Sequence, residues 1–226
     1  MILKKLKTES PFDKLLDGGL EEDAITNVYG PAGCGKTNMT IISTLSCIRS
    51  GKKVVYMDTE GSFSVERFAQ LGGTESDLKN VIFIDVHTWD EQCRETKRIE
   101  SVIEGAGLVV VDSMVSLYRL EMSESKFSEI NRQLATQYSI LSKISRKNKI
   151  PVLVTNQIYG VGEDTEVTSK TIAKYWSKTM IELRKTDREN TRLAILRKHR
   201  SMPENGKIEF EITRTGLKET GKFSLF

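Results

Sequence analysis

Tyr29–Met39 reads "YGPAGCGKTNM", a glycine-studded loop that ends in a lysine and a threonine. Gly30, Gly35, Lys36 and Thr37 fit G-x-x-x-x-G-K-[ST] without a mismatch. In such a loop successive backbone N–H groups turn inward and cradle phosphates. Glycine permits the positive φ this needs, and the helix that follows adds its positive end. The whole run Gly30, Pro31, Ala32, Gly33, Cys34, Gly35, Lys36 and Thr37 is therefore the expected nucleotide-binding element. Lys36 is expected to reach the β- and γ-phosphates and the Thr37 hydroxyl to hold Mg²⁺. Cys34 reads as a small residue filling its place rather than as a reactive thiol. The loop alone leaves three uses of the phosphate open: transfer to a substrate, hydrolysis as fuel, or a switch that orders a surface.

Working outward, short apolar runs recur with helical segments between them. "AITNVYG" (Ala24–Gly30), "KKVVYMDTEG" (Lys52–Gly61), "NVIFIDV" (Asn80–Val86), "GLVVVDS" (Gly107–Ser113) and "IPVLVTNQ" (Ile150–Gln157) read as buried strands rich in Val and Ile. Near-continuous apolar runs are what a sheet covered on both faces requires. In "NRQLATQYSILSKISRKNK", Leu134, Tyr138, Leu141 and Ile144 fall at helical spacing, and basic residues crowd the C-terminal end, as the helix dipole favours. Strand and helix alternating in this way predict an α/β fold, a mostly parallel sheet with helices on both faces. Beyond Lys170, "SKTMIELRK", "RLAILRK" and "KIEFEITR" are strand-like, and Ile208, Phe210 and Ile212 alternate on one face. They predict an antiparallel C-terminal extension of the same sheet. The expected organisation is one domain over 1–226: an N-terminal segment 1–23, a nucleotide-binding core 24–170, and the strand extension with its tail 171–226.

Composition narrows the function classes. The 226 residues suit one α/β domain, and 29% charged residues point to a well-solvated surface. A formal charge of +3 is too mild to argue for nucleic acid by itself. Three cysteines without metal-ligand spacing argue against a zinc site and for a reducing compartment. "MILKKLKTES" holds no apolar stretch of signal-peptide length, and no run approaches the ~18 apolar residues of a membrane helix. The expectation is a cytoplasmic protein without a membrane partner.

Asp112 ends the run "LVVVD". A carboxylate at that end of a central strand lies on the edge where open α/β sheets bind ligands, and it can hold Mg²⁺ through the ion's water shell. Glu60 in "YMDTEGSF" and Gln157 in "VLVTNQ" close strands on the same edge. Glu60 is a candidate to polarise an attacking water. Gln157 is a candidate to hydrogen-bond a γ-phosphate and report it to the segment that follows.

These residues, in this order, resemble the RecA/RadA family of recombination ATPases. The resemblance is carried by "DTEGSFSVER", "VVVDSMVSLYRLE", "VTNQ" and, upstream of the loop, "FDKLLDGGL", and it spans about Lys7 to Leu217. It implies a RecA-like core that uses ATP and Mg²⁺, with the "VLVTNQ" strand between the phosphate-loop strand and the Asp112 strand. It further implies Glu60 as the residue activating water and Gln157 as a switch into a DNA-facing loop. Arg119 and Arg132 match positions near a DNA-facing loop, where DNA contact competes with a surface ion pair. Tyr159 is a candidate to stack on a base, against packing on its own domain.

The chain also departs from that pattern. About 23 residues precede the first strand, so the family's N-terminal helical module and aromatic tether are not expected. "IYGVGEDTEVTSK" is short and carries Glu163, Asp164 and Glu166, which repel a phosphate backbone. Lys198 and Arg200 in "LRKHRSMP" stand where recombinases of the family tend to carry an aspartate. Their K-x-R arrangement resembles the KaiC and hexameric-helicase branches, in which a cation acts across a subunit boundary; a solvated basic turn is the alternative. The expected function is an ATP- and DNA-binding accessory of homologous recombination and repair with weak ATPase activity. Its expected partners are single-stranded or branched DNA and a full-length recombinase of the family, with room for a junction-processing nuclease and a homo-oligomer. A KaiC-like nucleotide-switched scaffold and a full strand-exchange recombinase are the alternatives.

Overall fold

The computed structural model describes residues 4–157 and 169–221. Its elements in chain order are β1 (Lys5–Leu6), α1 (Phe12–Leu15), β2 (Leu20–Glu21), β3 (Ile25–Gly30), α2 (Lys36–Arg49), β4 (Lys53–Asp58), α3 (Val65–Gln70), α4 (Glu75–Leu78), β5 (Val81–Asp85) and α5 (Trp89–Val102). There follow β6 (Ala106–Asp112), α6 (Ser116–Glu121), α7 (Phe127–Asn148), β7 (Val152–Gln157), α8 (Lys170–Trp176), β8 (Thr179–Lys185), β9 (Thr191–Lys198), β10 (Lys207–Thr213) and β11 (Gly216–Glu219). Among the described residues the main sheet has nine strands in the order β11-β10-β9-β8-β3-β7-β6-β4-β5, and β1 pairs with β2 beside it.

From β5 to β8 every pairing is parallel; β9, β10 and β11 continue antiparallel. Strand β7 lies between β3 and β6, as the resemblance implied, with Gly30 beside Gln157. The "SKTMIELRK" strand differs from expectation. After α8, β8 enters parallel to β3, so the antiparallel extension starts one strand later, at β9.

Period-two alternation sorts the strand side chains into two cores. Val54, Tyr56, Leu108 and Val110 face α2 and α3, together with Phe12 and Leu15 of the N-terminal segment. Val55, Met57, Val109 and Val111 face α5, α7 and α8. In α7, Leu134, Tyr138, Leu141 and Ile144 supply the buried stripe, although the helix starts earlier than its apolar pattern, at Phe127. The "NVIFIDV" run, expected to be fully buried, is instead the edge strand β5, with Phe83 45% exposed. Its apolar side chains reflect ring packing, for Phe83 meets Phe63 edge-on at 4.8 Å.

Candidate nucleotide site

Strand β3 stops at Gly30 and α2 starts at Lys36, so the intervening loop opens on the edge where the parallel strands end. Gly33 and Gly35 take φ of 73° and 94°, and Gly35 caps α2. Gly30 is needed for a different reason: a Cβ there would lie 2.4 Å from the Leu183 carbonyl oxygen of β8. Lys36 bends back over the loop and donates from Nζ to the carbonyls of Gly30 (2.9 Å) and Pro31 (3.0 Å). Burial pushes its pKa below the usual lysine value, opposed chiefly by the Asp112 carboxylate. Cys34 is buried under the loop and burial pushes its thiol pKa up, in keeping with a space-filling role. Arg192 of β9 donates from Nε to the Gly33 carbonyl at 3.1 Å and braces the outer turn.

Asp112 closes β6 and is 2% exposed. Its Oδ2 accepts from the hydroxyls of Tyr56 (3.2 Å), Ser62 (3.2 Å) and Thr40 (3.4 Å), and its Oδ1 from Thr155. Ser62 also accepts from Thr37 Oγ1 at 3.5 Å, so Thr37 and Asp112 are joined through one hydroxyl. The Tyr56 phenol is pushed well above its usual pKa, first by burial and then by the Asp112 charge, which keeps it a donor.

Glu60 sits exposed on the turn between β4 and α3, and its Oε1 accepts from Ser113 Oγ at 2.7 Å. Ser113 directly follows Asp112, so both carboxylates are anchored at the end of β6. The turn is shaped by Asp58, whose carboxylate accepts from the amides of Glu60 (3.1 Å), Ser62 (3.1 Å) and Phe63 (3.0 Å). Gln157 ends β7 alongside Gly30. Sequence reasoning missed Asp58, Ser62, Thr40, Tyr56, Thr155 and Arg192. The polar letters inside "YMDTEGSF" and "VLVT" were the available signal, but which of them converge depends on strand order.

The remaining candidates lie elsewhere. Lys198 donates from Nζ to the carbonyls of Ser177 (2.7 Å) and Lys174 (2.5 Å) at the end of α8. Arg200 is held by Glu21 (2.9 Å) and Asp23 (2.8 Å). To act across a subunit boundary either head must first release these intrachain partners. Arg119 on α6 and Arg132 on α7 are exposed on the helical face that follows Asp112, near the exposed side chains of Leu120 and Phe127. Tyr159, with Glu163, Asp164 and Glu166, lies outside the described residues.

The donor set fits nucleotide and Mg²⁺. Hydroxyl and carboxylate oxygens converge beside an exposed loop at a helix start, and among the described residues there is no group of three or more His, Cys, Asp or Glu that could cage a metal unaided. A hard cation that retains waters and shares phosphate ligands matches such a set. Sheet order, loop and strand-end acid together define a RecA-like P-loop protein. The chain belongs to the Rad51 family, whose model matches residues 2–220.

Its relatives include a protein of Methanococcus maripaludis described as DNA repair and recombination protein RadB. The two are 40% identical over 214 residues, 93% of this chain and 98% of that one. A protein of Methanobrevibacter smithii with the same description is 38% identical over 224 residues, 94% and 95% of the two chains. A crystal structure of the RadB recombinase matches with a TM-score of 0.83 at 33% identity, over 96% of this chain and all of that one. Family membership implies the use of nucleotide and Mg²⁺.

Proposed function

We propose that this chain acts in DNA repair and recombination as a cytoplasmic, ATP-dependent DNA-binding accessory with weak ATPase activity. It modulates a main recombinase of its family, or the processing of branched DNA, rather than exchanging strands itself. ATP phosphates bind the backbone N–H groups of the Gly30–Thr37 loop, Pro31 having none to give, and Lys36, which trades the Gly30 and Pro31 carbonyls for phosphate oxygens. Thr37 and Asp112 would hold Mg²⁺, which would supply charge neutralisation on the phosphates. Glu60 orients and polarises the attacking water. Gln157 senses the γ-phosphate and passes its presence to the segment that follows it in sequence; Arg119, Arg132 and Tyr159 contact DNA.

The observation that carries this reading is the bond from Thr37 to Ser62 to Asp112, with Glu60 tethered to Ser113 next door. It joins Thr37, Asp112 and Glu60 at one edge of the sheet, which supports their proposed shares in holding phosphate, metal and water. The relatives' description as DNA repair and recombination proteins supplies the biological setting. The test is binding of labelled single-stranded and branched DNA at two salt concentrations, with and without a non-hydrolysable ATP analogue. The expected result is salt-sensitive binding strengthened by the analogue and made analogue-independent by Gln157→Ala. Equal DNA affinity with and without the analogue rejects the switch. Strand exchange by this chain alone rejects the accessory role.

A further inference from the structure

At the sheet edge opposite the phosphate loop, where α7 runs into β7 and α8 into β8, a groove of about 560 Å³ lies between the two helices. Lys143, Arg146, Lys147 and Lys149 form one wall and Trp176 the other. Lys174 and Lys178 flank Trp176 in sequence, and Tyr175, 73% exposed, meets the Trp176 ring edge-on at 5.3 Å.

Glu100 pairs with Lys143 (3.2 Å) and Lys147 (2.9 Å), and is the carboxylate seen to neutralise this wall among the described residues. Helix dipoles account for cations in the last turns, such as Arg146, Lys147 and Lys174, because those turns expose carbonyls. They account for Lys149 too, at the C-cap of α7, but not for Lys143, a turn earlier, or for Lys178, beyond the end of α8. Lys174 and Lys178 also crowd Lys198, whose pKa is pushed down by burial first and by these two ammoniums next. Glu100 leaves Arg146, Lys149, Lys174 and Lys178 without an ion pair among the described residues, and such a concentration of like charge beside exposed Tyr175 and half-buried Trp176 matches a polyanion with stackable rings: cations for the phosphates, aromatics for bases.

We propose that the α7–α8 groove, with Tyr175 and Trp176, is a second nucleic-acid contact that grips the phosphate backbone independently of bound nucleotide. It rests on the DNA-binding reading above and extends it: one DNA contact on the nucleotide side is switched, and this one on the far edge is constant. An accessory holding DNA at both ends of its sheet can retain one segment while releasing another.

The test uses the full chain, labelled single-stranded DNA and a labelled four-way junction, in the absence of nucleotide and over a salt series. The variants are Arg146→Glu with Lys149→Gln, and separately Tyr175→Ala, each first shown to melt and to bind the ATP analogue as wild type does. The double variant is expected to lose about tenfold or more in affinity at low salt and to flatten the log–log salt dependence by roughly 1.4–1.8, for two phosphate contacts. Tyr175→Ala is expected to lose about fivefold or more on the single strand. Unchanged affinity and slope in both variants, while the wild type binds DNA, overturns the groove and leaves the functional reading standing. A wild type that binds no DNA with or without the analogue removes that reading and the groove with it. Binding of polyglutamate in place of DNA, lost in the double variant, overturns the proposal in favour of an acidic protein partner.

Discussion

Gly30 and His199 show how single side chains are constrained from opposite directions. At Gly30 the constraint is space, since the Leu183 carbonyl stands where a Cβ would go. Gly30→Ala must push β3 from β8 and is expected to cost about 1–3 kcal/mol in a urea melt. Because the same residue opens the phosphate loop, ATP-analogue affinity should fall alongside. At His199 the constraint is charge. The side chain is wholly buried, 3.7 Å from Glu21, and its pKa is lowered chiefly by burial; Glu21 and Asp17 oppose this while Lys5 and Arg200 add to it. The unfolded chain takes up this proton near the usual value of about 6.5 and the folded chain only at lower pH. Stability present at neutral pH is therefore lost as pH falls from about 6.5 through the folded pKa, below which both states are protonated. Melts at pH 7.5 and pH 5.5 should show a drop that His199→Gln reduces.

Among the elements, the turn from β4 to α3 matters most to chemistry. Asp58 binds three amides there and so sets where Glu60 points. An amide in its place offers one acceptor oxygen in place of two. Asp58→Asn is expected to lower the ATPase rate by about ten- to a hundredfold, the cost of a displacement on the order of 1 Å. Analogue affinity should stay close to wild type, because the Gly30–Thr37 loop is untouched; equal losses in rate and affinity would reject the positioning role. A second element effect is at α5, where Thr88 and Glu91 form a reciprocal capping box. Thr88→Ala should cost about 1 kcal/mol by thermal or urea melting, with no change in ATP-analogue binding.

At the scale of the whole molecule, the antiparallel strands are a floor for the phosphate loop. Ile212 of β10 approaches within 3.2 Å of where a Cβ on Gly35 would lie, and Phe210 packs on Phe12 of α1 with ring centroids 5.2 Å apart. Residues near both ends of the described chain thus support a loop near residue 35. Phe210→Ala should cost about 3–5 kcal/mol, measured by urea denaturation, and weaken ATP-analogue binding as the floor under Gly35 relaxes.

How much of this was legible in the amino-acid order follows from the range of the forces involved. The phosphate loop, the apolar strands and the stripe of α7 were readable because steric rules for glycine, helix period and strand alternation act within a few residues. Asp112 and Gln157 were readable as strand ends, and family resemblance supplied their neighbour relations. What the tertiary structure decided was long-range. It set the parallel entry of β8, the exposed edge position of β5, and the hydroxyl bridge from Thr37 to Asp112. It also decided that Arg200 finds Glu21, 179 positions away, within its own chain. Strand direction and ion pairing are settled by competition among distant segments for burial and charge compensation, and no local pattern encodes the winner.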